Sequence, residues 1–328
     1  MFHNKLLLVD IKPFYECNLA CQFCHEKYKR TIYKTKITKE YLTDFFDSCV
    51  AKIRVLNDRF QYDQINMSLM GGELFQDRFK DDIIECYDKF ILKLKLLHTR
   101  LSINIVTNLV YKNIDRLISL IIKHKDVIHL QSSFDFDGRY TKDYQPKLFL
   151  ENCLKLKQYN IDVLISIVLH SKNIEVLLGK NHKLTPIFKT LYDNKFDIAT
   201  VMYYNNDKYT PQYSVTSDLL LYTYKHLIDY YPNLIEIKTL LNKISSKRKT
   251  DHNCNLIHSL AITSDRTRFK DWTNKQYSYS NINCVTCKYY NCCATDYGVY
   301  NMDTTLQFSQ KVQCFDKLLF QYIENKHD

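Results

Sequence analysis

Strand-length apolar runs alternate with longer amphipathic stretches through residues 6–203, and that alternation leaves few folds open. The runs lie at Leu6–Ile11, Ile65–Met70, Ser102–Thr107, Val127–Phe134, Asp162–Leu169 and Asp197–Tyr203. Helical patterns fill the gaps near 38–57, 78–99, 112–124, 146–159 and 184–193. In the first of these, Tyr41, Phe45, Phe46, Cys49 and Val50 recur at spacings of three and four behind Thr38, which suits an N-cap. Strands that alternate with helices at this spacing predict βα units on a parallel sheet. Six such units make an incomplete (β/α)6 barrel of TIM type, whose chemistry belongs at the C-terminal strand ends.

The first strand runs into Glu16-Cys17-Asn18-Leu19-Ala20-Cys21-Gln22-Phe23-Cys24-His25. Three thiolates this close can hold three irons of a [4Fe–4S] cube and leave the fourth open to a small molecule. A zinc site is the alternative, with His25 as the fourth ligand that structural zinc requires. A second signal stands at Met70-Gly71-Gly72-Glu73-Leu74, where two of only five glycines fall at the end of the second strand. Glycines there permit close backbone approach to a ligand and positive φ.

The cysteine spacing, with aromatic Phe23 before the third cysteine, and the Gly71-Gly72-Glu73 segment together resemble the radical S-adenosylmethionine (radical SAM) superfamily. The resemblance implies that Cys17, Cys21 and Cys24 hold the cluster. It implies that the open iron chelates S-adenosylmethionine, and that Gly71, Gly72 and Glu73 hold its amino group. Thr107-Asn108 closes the third strand where related enzymes have Thr-Asn-Gly, and Leu109 replaces that glycine, which predicts a different local turn. Ser133-Phe134-Asp135-Phe136-Asp137-Gly138 at the fourth exit is similar to the Ser-x-Asp-Gly segment of peptide-modifying members, and the fifth strand contains Ser166. Thr107, Asn108, Ser133 and Ser166 are therefore candidates to face S-adenosylmethionine or substrate, with Asp135 and Ser133 as catalytic candidates. Equally, such residues cap strands and turns.

Twelve cysteines, and a start that lacks the small-residue cleavage site of a signal peptide, argue for metal or redox chemistry in the cytoplasm rather than disulfides. Cys49, Cys86 and Cys153 fall in helical patterns as packed thiols. Five more cysteines lie between Cys284 and Cys314. Cys284, Cys287, Cys293 and Cys314 resemble the four ligands of the outer cluster in the SPASM/twitch extensions of radical SAM enzymes. Cys254 matches a first inner-cluster ligand, but Asp271 and Tyr297 stand where further cysteines are expected, so one auxiliary [4Fe–4S] cluster is implied. Cys292 adjoins Cys293, and spacing does not decide between them; a four-cysteine zinc knot is the rival. The expected division is a barrel over 1–205, connecting helices over 206–250 and a small C-terminal cysteine-rich Fe–S module over 251–328.

The net charge of +10 permits an anionic partner, although Lys is interleaved with Asp and Glu. The basic run Lys243–Lys249 lacks interleaved aromatics and reads as a solvated loop. No run approaches the roughly 18 apolar residues of a membrane span. Members with such extensions mostly modify peptides and proteins, so a peptide or protein is the expected substrate and an external donor of flavodoxin or ferredoxin type the expected reductant. With the motif at residue 17, leader capture is expected from the barrel, the tail or a separate leader-binding protein. The alternatives are a radical SAM enzyme acting on RNA, a nucleotide or another small molecule, and a non-enzymatic zinc-binding interaction protein.

Overall fold

A computed structural model describes residues 5–24, 26–97, 99–202, 211–246, 256–271 and 315–327. Every strand and helix read from the sequence over 1–202 is present, with ends displaced by a few residues. In chain order the elements begin β1 (Lys5–Lys12), α1 (Lys27–Ile32), α2 (Lys39–Phe60), β2 (Gln64–Leu69), α3 (Lys80–Lys95) and β3 (Arg100–Val106). They continue with α4 (Asp115–Lys123), β4 (Ile128–Ser133), α5 (Tyr144–Gln158), β5 (Val163–Leu169), α6 (Ser171–Leu177), α7 (Thr185–Asp193) and β6 (Asp197–Met202). The later elements are α8 (Ser217–Tyr230), α9 (Ile235–Ser246), β7 (Leu256–Thr263), β8 (Thr267–Asp271) and α10 (Phe315–His327).

The strand order is β6-β5-β4-β3-β2-β1-β7-β8. The pairings from β1 to β5 are parallel, which the intervening helices require. Thr38 caps α2 as expected, its Oγ1 accepting from Tyr41 N at 3.1 Å. Leu42, Phe46, Cys49, Val50 and Ile53 form the buried stripe of α2, and Phe46 meets Tyr87 and Phe90 of α3 edge-on or tilted. Cys49, Cys86 and Cys153 are packed core thiols.

The sequence analysis expected six strands, and the described sheet has eight. Residues 256–271, assigned there to the C-terminal module, instead extend the sheet. β7 pairs with β1 in parallel over its whole length, from Lys5↔Leu256 to Lys12↔Thr263, and β8 folds back on β7 antiparallel. The physical cause is the apolar alternation of Leu260 and Ile262, which matches that of β1 and buries beside it. The chain divides into two compact units that interleave in sequence. One contains residues 1–166, 186–196 and 254–275; the other contains 167–185, 197–253 and 276–328.

In the first unit, Leu7, Val9 and Ile11 of β1 and Ile65, Met67 and Leu69 of β2 are buried on one face. The opposite face carries polar side chains, including Asp10, Asn66, Ser68, Ser102 and Asn104, around a cavity of about 400 Å³. Barrel interiors are usually filled by branched apolar side chains; this polar face leaves room for water or a ligand. In the second unit, Asp229 of α8 accepts from Tyr322 Oη of α10 at 2.8 Å and pairs with Lys326. Among the described residues no helix is long and apolar enough to cross a membrane.

Candidate active site

The segment from Pro13 to Glu26, which carries Cys17, Cys21 and Cys24, leaves the C-terminal end of β1 and is held by several other elements. Beyond β2 the pairing with β1 continues as a backbone zipper: Met70 N donates to Ile11 O at 3.0 Å, Gly72 N to Phe14 O at 3.1 Å and Glu73 N to Glu16 O at 2.8 Å. This approach is possible only without side chains. A Cβ on Gly72 would lie 1.8 Å from Glu16 O and 2.4 Å from Tyr15 O, and one on Gly71 would lie 2.8 Å from Phe14 O. Gln76 Nε2 adds a further bond to Glu16 O at 3.0 Å. The glycine pair thus faces the cysteine loop, not open space.

From the far edge, Tyr15 Oη donates to Asp265 Oδ1 in the β7–β8 turn at 2.7 Å. Burial, then this bond, push the Tyr15 hydroxyl up to about 12. From β3, Asn108 Nδ2 donates to Asn18 Oδ1 at 2.7 Å, and Asn18 Nδ2 donates to Val110 O at 2.5 Å. Beyond β4, Gly138 O accepts from Gln22 N at 2.7 Å. The Arg139 guanidinium lies 5.7 Å from the Phe23 ring centroid and is paired with buried Asp135 at 2.5 Å.

Glu73 is almost fully buried, and its carboxylate accepts from Asn108 N at 2.6 Å, Thr107 Oγ1 at 2.7 Å and Phe75 N at 3.0 Å. Burial pushes its carboxyl above the usual range, and these bonds hold it back. Leu109 stands in the left-handed region, at φ +54°. Full burial of the leucine side chain offsets the strain. Asn152 of α5 fixes the turn by donating to Leu109 O and Tyr111 O, both at 2.9 Å.

The structure brings Cys17, Cys21, Cys24, Phe23, Gly71, Gly72, Glu73, Thr107 and Asn108 together. Ser133 pairs in register with Ser166, whose Oγ accepts from Gln131 Nε2 at 3.0 Å; Gln131 Oε1 in turn accepts from Asn104 Nδ2 at 2.6 Å. Asp135, a catalytic candidate in the sequence, is occupied in holding Arg139. Sequence reasoning missed Arg30, Asn18, Gln76, Arg139 and Asn152; of these only Asn18 lies between the cysteines, where a signal was available. His25, Cys254, Cys284, Cys287, Cys292, Cys293, Tyr297 and Cys314 lie outside the described residues, and β8 ends at Asp271.

The donor set suits a cluster of soft metal ions. Cys17 Sγ accepts from Leu19 N at 3.4 Å and lies 3.8 Å from Asn108 Nδ2, and Cys24 Sγ accepts from Arg30 Nη2 at 3.4 Å. Desolvation, reinforced by the nearby Glu73 charge, pushes the Cys17 thiol up to about 12, and burial raises Cys21. Such thiols ionise when a metal cation takes the proton's place. Among the described residues no three His, Cys, Asp or Glu side chains gather around one ion. A cube, by contrast, gives each cysteine its own iron.

No family model matches the chain, and no curated protein does. Solved structures do. The structure described as hexahistidine-tagged anSMEcpe with bound AdoMet is similar at a TM-score of 0.56 with 16% identity, over 88% of each chain. HydG, a maturase of the [FeFe]-hydrogenase, is similar at a TM-score of 0.41 with 12% identity, over 71% of this chain and 50% of that one. The first of these likenesses shows that the two chains share a fold.

Proposed function

We propose that this chain is a radical SAM enzyme that acts on a peptide or protein. The observation that carries the reading is the seating of the three-cysteine loop against the ends of β2, β3 and β4, where Gly72, Asn108 and Gly138 each hold it by a hydrogen bond. Cys17, Cys21 and Cys24 would hold the cluster. When bound, the cluster and S-adenosylmethionine supply one-electron cleavage of the sulfonium, giving methionine and a 5′-deoxyadenosyl radical that removes hydrogen from a substrate C–H bond.

The protein's own residues bind and orient. N–H groups of Leu19 and Arg30 face the sulfurs and stabilise negative charge on them. The backbone at Gly71-Gly72-Glu73 and the polar strand ends at Thr107, Asn108, Ser133 and Ser166 are proposed to hold S-adenosylmethionine. The Glu73 carboxylate, already accepting three bonds, acts there by fixing the ends of β2 and β3. The polar sheet face keeps the interior open to a substrate segment. The tail cysteines Cys284, Cys287, Cys293 and Cys314 are proposed to carry one auxiliary [4Fe–4S] cluster, and electrons come from a flavodoxin- or ferredoxin-type donor. The peptide reading rests on the resemblance of that tail to the extensions of peptide-modifying members.

The test is anaerobic reconstitution followed by dithionite and S-adenosylmethionine. The wild-type chain should release 5′-deoxyadenosine, and the variant with Cys17, Cys21 and Cys24 all changed to Ala should not. Cleavage persisting in that variant sinks the assignment.

A further inference from the structure

Arg30, at the end of α1, bonds at two places to the loop it follows. Its Nη1 donates to Leu19 O at 2.7 Å, midway between Cys17 and Cys21 in sequence, and its Nη2 donates to Cys24 Sγ at 3.4 Å. Its third donor, Nε, is buried and has no hydrogen-bond partner among the described residues. A buried N–H of a guanidinium is costly to leave unpaired. One guanidinium therefore bonds one cysteine sulfur and the backbone between the other two, and keeps a spare donor in the same place.

Fe–S potentials follow net charge, hydrogen bonds to sulfur and exposure. A cation bonded to a ligand sulfur stabilises the more negative, reduced state over the oxidised one. We propose that Arg30 is a positioning residue that sets the reduction potential of the cluster held by Cys17, Cys21 and Cys24, raising it so that a cellular donor can reduce it. The inference rests on the radical SAM reading, and it assigns Arg30 a role separate from holding iron. Arg30 Nε is the donor available to a cluster sulfide or to a group bound beside it.

The experiment is a redox titration with dithionite of the reconstituted full-length chain, followed by electron paramagnetic resonance. The signal that changes when S-adenosylmethionine is added reports the relevant cluster. Arg30→Met and Arg30→Gln should keep wild-type iron and sulfide. At the wild-type midpoint their reduced-to-oxidised ratio should fall at least tenfold, which for one electron is a shift of about 59 mV to lower potential. Arg30→Lys, which keeps the charge, should fall between them and wild type. Unchanged midpoints in Arg30→Met and Arg30→Gln, with the cluster present, overturn the proposal. If Arg30→Met fails to hold iron, Arg30→Gln retains an N–H donor without the charge, and its midpoint decides alone. A wild-type chain that binds no cluster would instead overturn the parent reading, so the two failures are distinct.

Discussion

Replacing Gly72 with Ala tests the cysteine-loop seating most directly. The added Cβ would stand 1.8 Å from Glu16 O, against the 3.4 Å at which ordinary contact begins, so the two segments must part by about 1.6 Å. The atoms it meets are backbone, and no side-chain rotation relieves the clash. Glu16 O also accepts from Glu73 N at 2.8 Å and from Gln76 Nε2 at 3.0 Å, and a shift of that size breaks both bonds. Each bond contributes about 1 kcal/mol, and overpacking costs about 1–3 kcal/mol. The expected loss is therefore about 3–5 kcal/mol, which lowers the melting temperature of a unit this size by roughly 10 °C. Thermal unfolding of the metal-free chain, followed by iron determination after reconstitution, reads both effects. The variant should melt earlier and retain less iron at the Cys17/Cys21/Cys24 site. A metal-free Gly72→Ala chain that melts within about 2 °C of wild type refutes the reasoning, since that is under 1 kcal/mol. If it also bound S-adenosylmethionine poorly with a full cluster, the glycine would be clearing space for methionine, as the sequence alone suggests.

Leu109→Gly relieves a left-handed backbone but removes a fully buried leucine; at about 2–5 kcal/mol for the lost side chain and about 1–2 kcal/mol for the strain, denaturant unfolding should show a net loss near 2 kcal/mol. Asp135→Ala leaves the Arg139 guanidinium buried without its partner carboxylate, so chemical denaturation should register a loss of about 3–5 kcal/mol, and stability equal to wild type would show that the ion pair is dispensable. Anaerobic reconstitution of the whole chain should give about eight irons, and replacement of Cys284, Cys287, Cys293 and Cys314 should leave about four with S-adenosylmethionine cleavage retained; four irons and one zinc in the wild type would make the tail a structural knot.

Much of the site was legible because its parts are contiguous. Cys17, Cys21, Cys24 and Phe23 lie within one short segment, and Gly71-Gly72-Glu73 within another, so spacing alone named them. The role of those residues was less legible than their presence. Sequence suggested that the glycines clear room for a ligand, whereas their missing side chains admit the backbone of Tyr15 and Glu16. Leu109 shows the same limit. Its left-handed backbone is fixed by full burial of the side chain and by the Asn152 bond from α5 to its carbonyl, neither of which local sequence shows.

The sequence by itself determined the alternating strands and helices, because apolar periodicity is local and each βα unit must bury one face. It also determined the thiol-rich segment and its place after β1. Tertiary structure decided which distant residues complete that segment: Asp265 for Tyr15, Asn108 for Asn18, Arg139 for Phe23. It also decided that Leu256–Thr263 joins β1 as a seventh strand. Partners separated by ninety residues or more leave no periodic trace in either segment. They meet only when strand register brings their ends to the same edge of the sheet.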